Sequence, residues 1–384
     1  MSAFVLETMP KASMAILTMP DSVRPFRGNH INFIDLIRKG RELGAFVFVV
    51  TPRDLKLGQK RVHGYVYNIE QKTWTRQLLP LPQVIYNRIP TRKDEQQPEV
   101  QQTIKACLKN PSISLFNPFF FNKWSLFEWL HKSKATRRYI PATKKLASLE
   151  ELEDFLQKHT AAYLKPVRGK AGKGIMKVQL GTPRDKYWCR LTIQDHKNSQ
   201  VSTYDSPSKL WAALKQGIGS EEYIIQQGIK LARAGKRPFD LRVLVQKNHN
   251  GDWSFSGVGA RVAGKQSITT HVPRGGRIDT PEKVLTSAFG GDRSIDLLNK
   301  VKETALLLAS RIEKASGEKL GEMSMDLGID TDGRLWFFEA NSRPMKFDEP
   351  DIRRRSLERI IQYSLHLSNG RVTSTATISG RKRR

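Results

Sequence analysis

The sequence predicts a small N-terminal α/β unit followed by a larger α+β unit, and three observations carry that expectation. An amphipathic helical pattern runs directly into a buried strand near residue 45. A glycine-rich break separates two strand-like runs near residue 170, and long β-rich runs dominate from Tyr223 onward. With 384 residues, 39% of them hydrophobic, the chain can bury more than one core, so roughly two to three units are expected.

Taken in order, Phe33, Leu36, Ile37 and Leu43 recur at helical spacing, Gly44 stops the helix, and residues 46–50 follow as a strand. Residues 64–67 with 73–75 predict a hairpin, and 81–86 a short strand. The N-terminal α/β unit is placed at residues 1–115. Helices are expected over Lys123–Lys132, after the Phe119-Phe120-Phe121 run, and over 148–159, where Ser148 is the N-cap and Glu151 holds the capping-box position. Strands are expected at 223–226, 241–246, 253–260 and 335–339, and a one-faced apolar helix at 296–314. This larger unit is placed at 116–370, divided into 116–222 and 223–370, with a basic flexible tail at 371–384.

The formal charge of +28 means attraction to polyanions, whether nucleic acid, acidic polymers or phosphorylated small molecules. Cys107 and Cys189 stand far apart with no CxxC, so they read as two buried thiols of a reducing, cytoplasmic environment. No apolar run is long enough to span a bilayer.

Chemistry concentrates in three stretches. Lys165-Pro166-Val167-Arg168-Gly169-Lys170-Ala171-Gly172-Lys173-Gly174 reads as a loop between two strands. Its glycines let backbone N–H groups approach phosphate oxygens while Lys165, Arg168 and Lys173 supply charge. A P-loop is disfavoured, because Ile175 replaces the Ser or Thr and a strand rather than a helix follows. A plain basic hairpin tip fits the same residues.

The second stretch runs from Met325 to Asn341 around the turn signal Asp332-Gly333. With those two residues as the loop, Asp326 stands opposite Glu339, and Asn341 falls on the same face. Like charges opposed across a hairpin are destabilising unless a cation lies between them, and three oxygen donors with room for phosphate suit Mg²⁺. A one-residue slip would separate the pair. In the third stretch Asp240 and Arg242 alternate onto one face, so that Asp240 is expected to orient Arg242 toward a phosphate or carboxylate; a plain ion pair fits equally.

Residues 116–127, 164–177, 224–229, 239–242 and 338–344, with 86–92 upstream, together resemble in order the motifs of the ATP-grasp superfamily, and within it the YheC/YheD group of endospore coat-associated proteins. The resemblance implies the ATP-grasp fold, two α+β subdomains enclosing ATP. It implies that Lys123 and Lys165 meet the nucleotide phosphates, that Gly169, Gly172 and Gly174 form a flap over them with Arg168 and Lys173 among the nucleotide-binding residues, and that the backbone of Ile225, Gln226, Gln227 and Gly228 meets the adenine, with Gln226 where many relatives have Glu. Asp326, Glu339 and Asn341 match the metal triad, Arg242 and Arg261 match catalytic positions at the transferring phosphate or acceptor, and His271 stands where relatives commonly show Asn.

The activity so implied is an ATP-dependent carboxylate-amine ligase that forms an acyl phosphate, with ATP and two Mg²⁺ ions, or Mn²⁺, as cofactors. Its partners would be an anionic acceptor bearing a carboxylate, an amine co-substrate and spore-coat proteins in a sporulating cell. A kinase acting on an anionic small molecule, and a non-catalytic basic coat or nucleic-acid-binding protein, are the competing readings.

Overall fold

A computed structural model of the chain describes residues 12–167, 174–195, 198–265, 267–270 and 275–379, and these form three sheets. The first takes β1 Ala12–Leu17, β2 Ala45–Val50, β3 Arg61–Asn68, β4 Thr73–Pro80, β5 Val84–Asn87 and β6 Ser114–Phe116, in the order β4-β3-β2-β1-β5-β6. Its centre is parallel and apolar because both faces are covered. Helix α1 His30–Leu43 lies on one face; it opens at Asn29, whose side chain accepts the Asn32 N–H, and closes at Gly44 with φ 80°. Short helix α2 Arg92–Glu95 leads to α3 Pro98–Lys109, which places Val100, Ile104 and Cys107 against the other face.

Helix α4 Lys123–Lys132 then starts where its sequence predicts, capped by Asn122, and leads into the second sheet. That sheet takes β7 Thr143–Lys145, β8 Ala161–Pro166, β9 Met176–Leu180, β10 Cys189–Asp195, β11 Asn198–Tyr204 and β12 Tyr223–Gln227, ordered β11-β10-β9-β8-β12-β7. Helices α5 Leu149–Lys158 and α6 Pro207–Ile218 cover one side of it. At the start of α5 the Ser148 side chain accepts the Glu151 N–H as expected, while Glu151 reaches back to Ala147 N–H rather than to Ser148. Both cysteines are buried and free, and burial pushes each thiol up to about 12.

The third sheet takes β13 Arg233–Ala234, β14 Arg237–Lys247, β15 Trp253–Val262, β16 Arg277–Asp279, β17 Glu322–Ile329 and β18 Leu335–Asn341, ordered β16-β15-β14-β17-β18 with β13 beside β14. Met323, Met325, Leu327 and Ile329 of β17 point to a core shared with α4, α7 Pro281–Phe289 and α8 Gly291–Ser316. The alternate residues of β17 face the other way, toward the charged site.

Two boundaries differ from the sequence reading. The strand 223–227 completes the second sheet, because its apolar Ile225 packs with Leu164 and Val178. The last helix, α9 Pro350–Ser379, returns to the first sheet, where Ile360, Ile361 and Tyr363 join Met14, Ile16 and Phe33. It runs through residues 371–379, where the sequence reading places a tail; a helix nucleated by packed turns propagates at little further cost. No described helix is long and apolar enough to cross a membrane.

A small set of buried polar contacts joins the first sheet to the third. Asn117, fully buried at φ 55°, accepts the Gly321 N–H at 2.7 Å and donates to Glu322 O at 2.8 Å and to Ser342 O. Arg343 pairs with Glu95 and stacks 4.1 Å from the Phe120 ring centre. Glu322, whose carboxyl is raised by burial, accepts from Tyr86 and Arg88. Replacing Asn117 with Ala strands three backbone groups and leaves a β-carbon at a positive φ that Ala tolerates poorly. The expected loss is about 2–4 kcal/mol, read as a lower urea midpoint at unchanged slope; a change under about 0.5 kcal/mol would show that this junction is not a structural tie.

Candidate active site

The β17–β18 hairpin brings Asp326 opposite Glu339, but not by the two-residue turn its sequence predicts. The loop has three residues, Thr331-Asp332-Gly333: Asp330 N–H donates to Arg334 O at 3.0 Å, and Gly333 takes φ 86°. Ile329 therefore faces Leu335 and Leu327 faces Phe337, a register that by itself would set Asp326 against Phe338. A β-bulge at Phe338 restores it, so that Asp326 faces Glu339 and Ser324 faces Asn341. The bulge also turns Phe338 and Glu339 to the same side of the sheet.

Three protein cations hold the two carboxylates. Asp326 lies directly across from Arg242 on β14, which reaches it at 3.4 Å and donates to Ser324 Oγ at 3.1 Å. Arg261 on β15 reaches Asp326 at 2.8 Å while clasping Asp240 through two bonds of 2.8 and 2.7 Å. Glu339 accepts from Lys123, the first residue of α4. Burial pushes Asp326 upward, but Arg261 and Arg242 outweigh it and hold the carboxyl below its ordinary value.

This arrangement corrects the expected pairing of Asp240 with Arg242. Residues two apart on one strand are separated by nearly 7 Å, whereas cross-strand partners approach to about 5 Å. Asp240 faces Arg261 and Arg242 faces Asp326, and each takes its facing partner. Thr270 Oγ1 donates to Asp240 at 2.5 Å, completing that carboxylate's environment. The Arg261 side chain is 8% exposed and spends its donors on two carboxylates, while Arg242 at 24% keeps access to the cleft. Arg261 is thereby committed to the two carboxylates, and Arg242 is the more open of the two arginines.

Lys165 enters from β8 of the second sheet and donates to Gln226 Oε1 at 2.5 Å. Its ammonium lies 5.5 Å from the Phe338 ring centre and 5.8 Å from that of Tyr163. Burial, with Lys123 nearby, pulls it down to about 8, against the opposing pull of Glu339, Asp326 and Asp240. Lys123, Lys165 and both carboxylates thus share one electrostatic site.

The strand β12 is paired on both sides, with Ile225 facing Leu164 and Lys144, and Gln226 facing Tyr163 and Thr143. That commits their backbone groups to the sheet. Ile225 is core, Gln226 presents its side chain to Lys165, and Gln227 accepts the Ala142 N–H through Oε1 at 3.3 Å. Gly228 donates to Ala161 O at 2.8 Å, and an added β-carbon there would lie 2.9 Å from the same carbonyl oxygen. Gly174, at φ 74°, accepts from Tyr223 Oη at 3.1 Å at the start of β9. Arg168, Gly169, Gly172 and Lys173, like His271, lie outside the described residues.

Asp326, Glu339 and Asn341 offer hard oxygen donors on one face, with Asn341 half-buried opposite Ser324. That set fits Mg²⁺. The sequence did not single out Phe338 or Thr270. Plain alternation sends Phe338 into the core, and only the bulge reverses it; Thr270 depends on a tertiary contact with no local signal. Phe338 packs over Gly328, where any β-carbon would sit 2.4 Å from the ring.

The profile of the YheC/D like ATP-grasp family matches residues 112–367. The endospore coat-associated protein YheD of Bacillus subtilis (strain 168) is 29% identical over 360 residues, 91% of this chain and 77% of that protein. YheC of the same strain is 24% identical over 318 residues, 81% of this chain and 84% of that one. Among solved structures, the ATP-grasp ligase PsnB complexed with minimal precursor superposes with TM-score 0.53 at 12% identity, covering 93% of this chain and 99% of that one. D-alanyl-alanine synthetase A from Vibrio cholerae also gives 0.53, at 14% identity over 95% of this chain and all of that one. These likenesses establish the fold.

Binding of a non-hydrolysable ATP analogue is expected to weaken as pH rises through about 8, the value to which burial brings Lys165. Above it the free protein has to take up a proton to present the charge, so affinity falls by up to about tenfold per pH unit. Titration calorimetry from about pH 6.5 to 9.5 reads this. Lys165→Arg moves the decline out of that window; the same profile in both proteins would assign it to another group.

Proposed function

The chain belongs to the YheC/D-like ATP-grasp family, and from that premise we propose that it is an Mg-ATP-dependent carboxylate-amine ligase. The observation that carries the reading is the opposition of Asp326 and Glu339 across β17 and β18, ringed by Arg242, Arg261, Lys123 and Lys165. A site holding two carboxylates and four cations binds a metal-nucleotide by exchange: phosphates take the cations and the metal takes the carboxylates.

In this proposal Asp326, Glu339 and Asn341 hold Mg²⁺, which when bound neutralises charge on the phosphates and screens the two carboxylates from each other. Lys123 and Lys165 hold the phosphate chain. Phe338, over Gly328, supplies an apolar floor beside them. Arg242 stands at the transferring phosphoryl group, and Arg261 keeps Asp326 oriented through its clasp on Asp240. The acceptor carboxylate oxygen attacks the γ-phosphorus, the bond to the bridging oxygen breaks, and ADP leaves. The amine nitrogen then attacks the acyl carbon, phosphate departs with the bonding pair, and the amine loses a proton. Preorganised cations lower the barrier because they need no reorganisation as charge shifts.

The two curated relatives are endospore coat-associated proteins, and we assign this chain to the same setting, with an anionic acceptor suited to a chain of charge +28. Two Mg²⁺ ions and a location in the cytoplasm of the sporulating cell belong to the same proposal.

ADP release measured over a panel of carboxylic acids, with and without amines, tests the reading. Release that requires both substrates, together with an amide product, is the expected result, and Arg242→Ala is expected to lower the turnover number by about 100-fold or more. ADP release independent of any amine, with a stable phosphorylated acceptor, would replace the ligase by a kinase.

A further inference from the structure

A cleft of about 600 Å³ opens between the β17–β18 turn, the 3-10 turn Arg137–Tyr139 and helix α8. It shares no lining residue with the charged site described above. Arg138, Lys300 and Arg334 line it, and Glu303 is the one carboxylate among the lining residues. None of the three cations forms an ion pair among the described residues.

Both arginines are exposed to solvent, and each is hydrogen-bonded and stacked on a neighbouring ring. Arg334 stacks 4.2 Å from the Trp336 ring centre and donates to Arg138 O at 2.8 Å. Arg138 stacks 4.8 Å from the Tyr139 ring centre and donates to the Tyr139 hydroxyl at 2.7 Å. Each of these contacts is with a ring or a neutral oxygen, so neither guanidinium has a carboxylate at ion-pair distance among the described residues. Three exposed like charges lining one cleft attract an anion, with solvent and salt screening part of that attraction, and guanidinia already stacked on rings lose less side-chain freedom when a ligand binds.

We propose that this cleft binds a phosphate monoester carried on an apolar, ring-sized body. Three cations against Glu303 leave a net positive charge of about two, which balances the −1.5 to −2 of a phosphate monoester at neutral pH, about twice what a carboxylate supplies. Tyr139, Leu307 and Leu335 form the apolar part of the wall. The volume falls in the range of small-molecule pockets, roughly 300–1,000 Å³. The position is independent of the nucleotide reading, since the cleft and the charged site have no residue in common.

Titration of the intact chain with phenyl phosphate, inorganic phosphate and phenol tests the assignment. Phenyl phosphate is expected to saturate, and to bind about tenfold tighter than either fragment. Lys300→Glu is expected to weaken it by about tenfold, while Lys302→Glu, exposed on another side of the same helix, changes it by less than about twofold. An excess of ATP analogue leaves the binding in place. Four results would overturn the proposal: no saturation by about 10 mM, equal losses in the two variants, inorganic phosphate binding as tightly as the ester, or displacement by the ATP analogue. Equal losses would mean general attraction to a basic chain, and displacement would put the ester in the nucleotide site.

Discussion

Two carboxylates facing each other across adjacent strands, Asp326 and Glu339, impose the constraint around which this molecule is organised. Unopposed, they repel at a separation of about 5 Å. The surrounding structure answers with cations from three directions: Arg242 from the neighbouring strand, Arg261 from the strand beyond it and Lys123 from the start of α4. Each has its own support. Asp240 and Thr270 steady Arg261, Ser324 steadies Arg242, and the Asn122 cap and the packing of Leu126, Phe127 and Leu130 set the start of α4. A buried network of this kind stabilises weakly by itself, since desolvation offsets much of the Coulomb attraction. Its use is to keep oppositely charged groups at fixed positions where a metal and a phosphate chain can replace them.

The first sheet serves that geometry from a distance. Asn117 ties β6 to the start of β17 and to the turn after β18, and Arg343, stacked on Phe120, holds the same turn against Glu95. Since Lys123 follows this junction by only a few residues while Glu339 precedes it, the junction fixes how helix and hairpin meet. The return of α9 onto the first sheet closes the arrangement from the other end of the chain.

Much of this is legible in the sequence where periodicity or a cap carries it. Phe33, Leu36 and Ile37 with Gly44 mark α1, Asn122 and Ser148 mark helix starts, and the strand, loop, strand order around Lys165 appears as β8 and β9. The opposition of Asp326 and Glu339 was also readable, yet it arises differently. The turn is one residue longer than Asp332-Gly333 implies, and the bulge at Phe338 takes up the difference, so two departures from regular geometry cancel. No local pattern encodes a bulge. The sequence points Asp240 at Arg242 because face-sharing along one strand is visible in sequence, whereas the register that hands it to Arg261 is set by the pairing with β15. The placement of residues 223–227 in the second sheet and the return of α9 are tertiary decisions, made by packing partners more than 40 residues away in sequence.

The measurement that bears most directly on this account is calorimetric titration of a non-hydrolysable ATP analogue with and without Mg²⁺, on the unmodified chain and on Glu339→Gln. Micromolar binding that requires Mg²⁺ and weakens by about tenfold or more in the variant is expected, because a neutral amide neither holds the metal nor releases Lys123 to the phosphates. Binding that is equally tight without Mg²⁺, or unchanged in Glu339→Gln, would contradict it and leave the opposed carboxylates as a structural ion-pair network.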